Sequence, residues 1–154
     1  WFVQKVHLAA NADEEMKLVG EIDTKHEVVV DKQFESYIPA QLQSDSTASI
    51  TLKSYEPNHL VYAFNSKVPQ MVVFSEIYYD KGWNAYINGQ IVPYIRANYL
   101  LRAMKLDAGT YDVEFRFEPK SYSTGNAIAL TASIVFILAL LAFVYFRFKK
   151  TSKS

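Results

Sequence analysis

The chain has 154 residues, no cysteine, and 16 basic against 16 acidic side chains. Without cysteine there is no disulfide scaffold, no thiolate nucleophile and no Cys-ligated zinc. The neutral total joins two unlike parts: residues 1–126 are net −4, with 12 basic and 16 acidic groups, whereas the tail holds Arg147, Lys149, Lys150 and Lys153 and no acid. An acidic segment with no basic stripe argues against nucleic acid as a partner, since phosphate neutralisation supplies most of that affinity.

In chain order, Phe2–Ala9 has strand character. Asn11 with Glu14 three residues on is a capping box, which predicts a short helix over Asp13–Val19 ending near Gly20. His26–Val30 reads as a strand, and Asp31–Ser46, aperiodic and containing Ile38-Pro39, as a surface connection. Ser49–Tyr55 and Leu60–Asn65 flank the turn Glu56-Pro57-Asn58-His59 as a hairpin. Met71–Tyr78 is a strongly apolar strand expected to be central. Trp83–Ile87 and Gln90–Ile95 are joined by Asn88-Gly89, the dipeptide a type I′ turn favours. Tyr99–Leu106 and Thr110–Glu118 meet through Asp107-Ala108-Gly109; in the second, Tyr111, Val113, Phe115 and Phe117 alternate with charged residues, so one face is buried and one wet. About eight short strands with regular turns predict a mainly β fold: an antiparallel, jelly-roll-like β-sandwich with one short N-terminal helix.

Residues 127–146 read AIALTASIVFILALLAFVYF, 20 residues without a charge. As a helix they cover roughly 30 Å, one hydrocarbon core. The expected organisation is therefore a β-sandwich domain over 1–120, a short polar linker over 121–126, a transmembrane helix over 127–146 and a basic tail over 147–154. Under the positive-inside rule the tail is cytoplasmic and residues 1–126 lie outside the membrane. The short tether after Pro119 places the sheet close to the bilayer surface, and Trp1 suggests a chain cut from something longer with an upstream membrane-inserted portion. Gly125, Ala129, Ala132 and Ala139 share one helical face, which suits packing against further helices as well as a lone anchor.

Chemistry is sparse. His7, His26 and His59 show no metal-ligand spacing, and no nucleophile elbow or P-loop is present, so neither a metal, a cofactor nor a catalytic residue is expected in these residues. The densest feature is the run Ser75–Tyr86. Its aromatics beside planar polar groups suit sugar rings, and Glu76, Tyr79, Trp83 and Asn84 are the candidate glycan contacts. Core packing is the competing role for Trp83. Arg96 and Arg102, set among apolar residues, are expected to pair with Glu76 or Glu114 on a solvent face.

The same stretch resembles the C-terminal segment of YfhO-family bacterial membrane proteins. The resemblance is carried by Ser75, Glu76, Tyr78, Tyr79, Gly82, Trp83, Ala85 and Gly89, then by Asn98, Arg102, Ala103, Ala108, Gly109, Val113, Phe115 and Pro119. Trp1-Phe2-Val3 and Ala12-Asp13-Glu14-Glu15 also resemble the segment that opens this domain in the family, while Tyr111 stands where a histidine is frequent and Asp80-Lys81 replaces a shorter or Pro-containing turn. The resemblance implies a polytopic bacterial inner-membrane protein similar to GT-C-type glycosyltransferases, which use lipid-linked sugars. It implies that the catalytic acid lies in an early outer loop outside this sequence, so no catalytic residue carries over. The implied partners are the lipid bilayer, upstream helices of the same protein, and a glycan or lipid-linked sugar. A single-pass carbohydrate-binding module, or a purely structural β-sandwich, is the alternative.

Overall fold

The computed structural model describes residues 1–151, with the side chains of residues 120, 123 and 143–151 left aside. The basic tail side chains Arg147, Lys149 and Lys150, and all of Lys153, lie outside the described residues. The chain divides into two compact units, Trp1–Phe117 and Glu118–Ser154.

The first unit is mainly β. Its strands are β1 (Lys5–Ala9), β2 (Glu27–Asp31), β3 (Ser49–Glu56), β4 (His59–Ser66), β5 (Gln70–Ile77), β6 (Trp83–Ile87), β7 (Gln90–Val92), β8 (Ile95–Ala97), β9 (Leu101–Leu106) and β10 (Gly109–Phe117). A five-stranded sheet of order β3-β4-β10-β6-β7 and a three-stranded sheet of order β5-β9-β8 are both antiparallel. They face each other across a core built from Leu60, Phe64, Val72, Phe74, Ala85, Met104, Leu106, Val113 and Phe115. The alternation expected in β10 is what this demands: Val113 and Phe115 are buried, while Glu114 and Arg116 stand on the other face.

The three-stranded sheet is covered on its other face as well. A second core joins Met71 and Val73 of β5, Ala103 of β9 and Ile95 and Ala97 of β8 to Val28 and Val30 of β2 and to Val3. Burial on both faces explains why residues 70–74 are an unbroken buried run, since neither face can be polar. In the ladder β5 lies at an end, yet its free edge is taken up by the N-terminal segment. The Val3 amide donates to the Met71 carbonyl, and the Val73 amide donates to the Trp1 carbonyl, both at 2.9 Å.

Four local features depart from the sequence expectation. β1 and β2 pair in parallel, because helix α1 (Ala12–Val19) forms the crossover between them. The stretch read as a plain connection contains a 3-10 helix, Lys32–Tyr37, whose first turn is capped by the Asp31 carboxylate on the Gln33 amide at 2.9 Å. The single strand expected over Gln90–Ile95 is two, in different sheets. Pro93, which has no N–H to give a ladder, sits where the chain crosses from β7 to β8. Between β8 and β9, Asn98 and Tyr99 adopt left-handed φ values of 47° and 65°.

The α1 cap forms as expected: the Asn11 side chain accepts from the Glu14 amide at 3.0 Å. The Glu14 carboxylate reaches back to the Ala10 amide at 2.7 Å.

The second unit contains helix α2, Lys120–Thr151, and its candidate membrane span is Thr124–Ala142, 19 residues. Residues 121–126 are thus the first turns of this helix. Large apolar side chains along the span, Ile128, Phe136 and Leu141 among them, are exposed. A core helix of a water-soluble protein would bury such a surface; a bilayer accepts it on all sides.

Candidate functional site

Around the family-like motif, the sandwich core holds a charge. Arg102 on β9 is buried, at 2% exposure, on the face that meets the five-stranded sheet. Its guanidinium carbon lies 4.3 Å from the Trp83 ring centroid, 4.9 Å from that of Phe115 and 5.9 Å from that of Tyr94. Its Nε donates to the Ile77 carbonyl at 2.9 Å, where a bulge interrupts the pairing of β5 with β9. Burial pulls the Arg102 pKa down, while Tyr94 and Glu76 favour the charged form. Aromatic faces therefore carry much of what a carboxylate would otherwise supply. This corrects the expected solvent-face pairing of Arg102.

Arg96 is corrected too. It pairs with Glu15 at 3.0 Å and Asp31 at 3.4 Å, and Glu15 is fully buried. The second Glu15 oxygen accepts from the Tyr99 amide at 2.7 Å, so α1 clamps the left-handed turn. Asn98 completes the join: its side chain accepts from the Val29 amide and its own amide donates to the Val29 carbonyl, both at 2.8 Å. Asn98, Arg102 and Glu15, which stand among the motif residues, are thus engaged in internal structure. Glu114 is committed as well. It accepts from Arg116 Nη2 at 2.7 Å and lies 2.9 Å from the His59 ring nitrogen, and these bonds, Arg116's first, hold its pKa below the usual value.

The four candidate glycan contacts divide. Glu76 accepts from the Tyr62 hydroxyl at 3.1 Å, and burial followed by this carboxylate pushes the Tyr62 pKa up. Trp83 packs on Phe117, with centroids 5.4 Å apart, as well as on Arg102. Tyr79 is exposed, and its carbonyl accepts from the Tyr94 hydroxyl at 2.9 Å. Asn84 follows Trp83 on β6 and so projects from the opposite face, its position paired with Arg116 on β10. The structure brings Glu76 and Trp83 together around Arg102, with Tyr79 beside them, and puts Asn84 on the far side of the sheet.

A well-formed concavity lies elsewhere. A cleft of about 710 Å³ opens where the β6–β7 turn, the Pro93-Tyr94 crossing, the β9–β10 turn and the end of the 3-10 helix converge. Tyr37, Tyr94 and Tyr111 line it together with Asn88, Gln90, Lys105 and Asp107. The Tyr94 hydroxyl also donates to the Trp83 carbonyl at 3.1 Å, and the Tyr111 hydroxyl donates to the Asp107 carbonyl at 2.6 Å. Burial, the leading cause for both, pushes the two phenols up to about 12, so they stay protonated donors at neutral pH. Three stretches far apart in sequence, within residues 36–38, 87–95 and 103–111, build this cleft, and of their features the sequence showed the Asn88-Gly89 and Asp107-Ala108-Gly109 turns. No group of three or more metal-ligating side chains forms among the described residues.

A mainly β domain, antiparallel apart from the β1–β2 pair, is followed by an apolar helix long enough to cross a membrane, the arrangement of a membrane-associated protein. The sequence matches the family described as bacterial membrane protein YfhO over residues 29–129, about two thirds of its length, and the chain belongs to that family. Comparison with curated proteins and with solved structures gave no match.

Proposed function

We propose that the chain is the noncatalytic extracytoplasmic domain and last membrane helix of a polytopic bacterial membrane protein that takes part in glycosyl transfer to cell-surface glycans. The observation that carries this reading is the extent of the family match, which runs from β2 through β10 and into the first residues of the candidate span. The match thus covers most of the β domain and ends six residues into the candidate span, which supports reading the domain as part of a membrane protein. Within the domain the acids Glu15, Glu76 and Glu114 are each engaged in bonds that hold the fold.

The test is genetic and chemical. Deleting the parent gene should remove or truncate a sugar substituent on the cell-surface polymers, measured by composition and linkage analysis. Restoring residues 1–154 alone should not return it. Unchanged glycans after deletion would end the glycosyl-transfer reading.

A further inference from the structure

We propose that the cleft between the β6–β7 turn and the 3-10 helix is a binding site for a polyhydroxylated ligand, a sugar ring of one to three residues. This deepens the glycan reading above and rests on it for the biological source of the ligand, but the site is argued from its own geometry.

Three observations converge. The size, about 710 Å³, is within the range of roughly 300–1,000 Å³ found for small-ligand sites. Its lining couples aromatic faces to planar polar groups, the pairing that suits a sugar's C–H face and its hydroxyl rim. Three of its polar side chains are unspent: among the described residues, the amides of Asn88 and Gln90 and the Lys105 ammonium make no hydrogen bond or ion pair. That contrasts with the outer sheet face, where Lys53 pairs with Asp112 at 2.7 Å and Arg116 with Glu114.

Charge narrows the ligand class. Lys105 and Asp107 put one charge of each sign at the rim, so the cleft has no cationic cluster to hold a phosphate or a polyanion. Amides that both donate and accept, with a cation and an acid alongside, match hydroxyl groups, which also do both. The walls are held for the purpose. Tyr94 and Tyr111 are fixed through hydroxyl bonds to backbone carbonyls, and the Asn88-Gly89 turn is fixed by its positive φ angles of 52° and 76°. A pre-formed wall reduces the ordering cost of binding.

The sugar could be a free glycan or the head of a glycolipid, and the experiment separates them. The full chain in nanodiscs is titrated with cellotetraose, maltotetraose and chitotetraose, and separately assembled with glucosyl-diacylglycerol in the bilayer. Saturation-transfer NMR reports contact to ligand protons. At least one probe should bind, and Gln90→Ala and Lys105→Ala should each weaken it by roughly tenfold, about the loss of one good hydrogen bond. Thermal unfolding checks that both variants stay folded, and Tyr79→Ala and Asn84→Ala should leave the affinity unchanged. Binding in the soluble arm alone identifies a free glycan, and in the nanodisc arm alone a glycolipid; either supports the site. No binding of any probe, or binding that Tyr79→Ala or Asn84→Ala abolishes while the cleft variants do not, overturns it. Neither result touches the gene-deletion test, so the cleft can fail while the glycosyl-transfer reading stands.

Discussion

Glu114 shows how single residues here trade chemical availability for structure. On β10 it accepts from both Nε and Nη2 of Arg116, lies beside His59, and stands in the polar face of the five-stranded sheet, where Arg116 also covers the Tyr86 ring at 4.6 Å. Because these bonds lower the carboxyl pKa below 4.5, the folded state binds fewer protons than the unfolded chain as the acid range is entered. The stabilisation is therefore complete above the unfolded value and is lost as pH falls through the lower, folded one. Glu114→Gln should cost on the order of 1 kcal/mol at neutral pH, where charge-assisted bonds become ordinary ones. In denaturant titrations, the gap between the two proteins should hold from pH 7 to about 5 and shrink below it. A gap constant down to acid unfolding would show that another group titrates.

Among the elements, the β6–β7 hairpin isolates a backbone effect. Asn88 and Gly89 both have positive φ, and a Cβ on Gly89 would meet nothing within 4 Å. Gly89→Ala should thus cost about 1–2 kcal/mol through left-handed strain alone, and Asn88→Gly should be close to neutral. Urea unfolding of both variants measures this, and a Gly89→Ala cost near zero would mean that the turn relaxes into another form. This hairpin was legible in the sequence because turn chemistry is local. The α1 cap and the β10 alternation were legible for the same reason: each is decided within a few residues. β7 and β8 merged into one strand because Gln90–Ile95 keeps one pattern while the chain changes sheets at Pro93, and which sheet a residue joins depends on partners distant in sequence. Arg102 was misplaced by the same gap. Its neighbours Trp83, Tyr94 and Phe115 come from three other segments, and a lone arginine among apolar residues looks from sequence like one paired with an acid on a solvent face. The 3-10 helix carried no period to read, and the cleft it helps to line was invisible with it.

At the scale of the whole chain, charge and hydropathy separate along the sequence. An acidic β domain of net −4 is followed by a candidate span and then by four basic residues without an acid. Twelve of residues 127–146 are Leu, Ile, Val or Phe. At about −0.3 to −0.6 kcal/mol each they favour insertion by several kcal/mol, and no charge in the segment opposes them. Insertion therefore needs no help from elsewhere, and the remaining choice is direction. Within residues 1–154 the flanking charges are what bears on it. Lys120 with Glu118 beside it precedes the helix, while Arg147, Lys149, Lys150 and Lys153 follow. Basic flanks stay on the cytoplasmic side, so the proposed arrangement has the β domain outside and Ser154 inside. A green fluorescent protein joined after Ser154 should fluoresce, whereas alkaline phosphatase at the same place should be inactive. Changing all four basic tail residues to Gln should weaken that bias and raise phosphatase activity severalfold, at roughly the level where short-flank charge decides orientation. An active phosphatase on the unaltered tail would reverse the topology and put the β domain, with its cleft, in the cytoplasm.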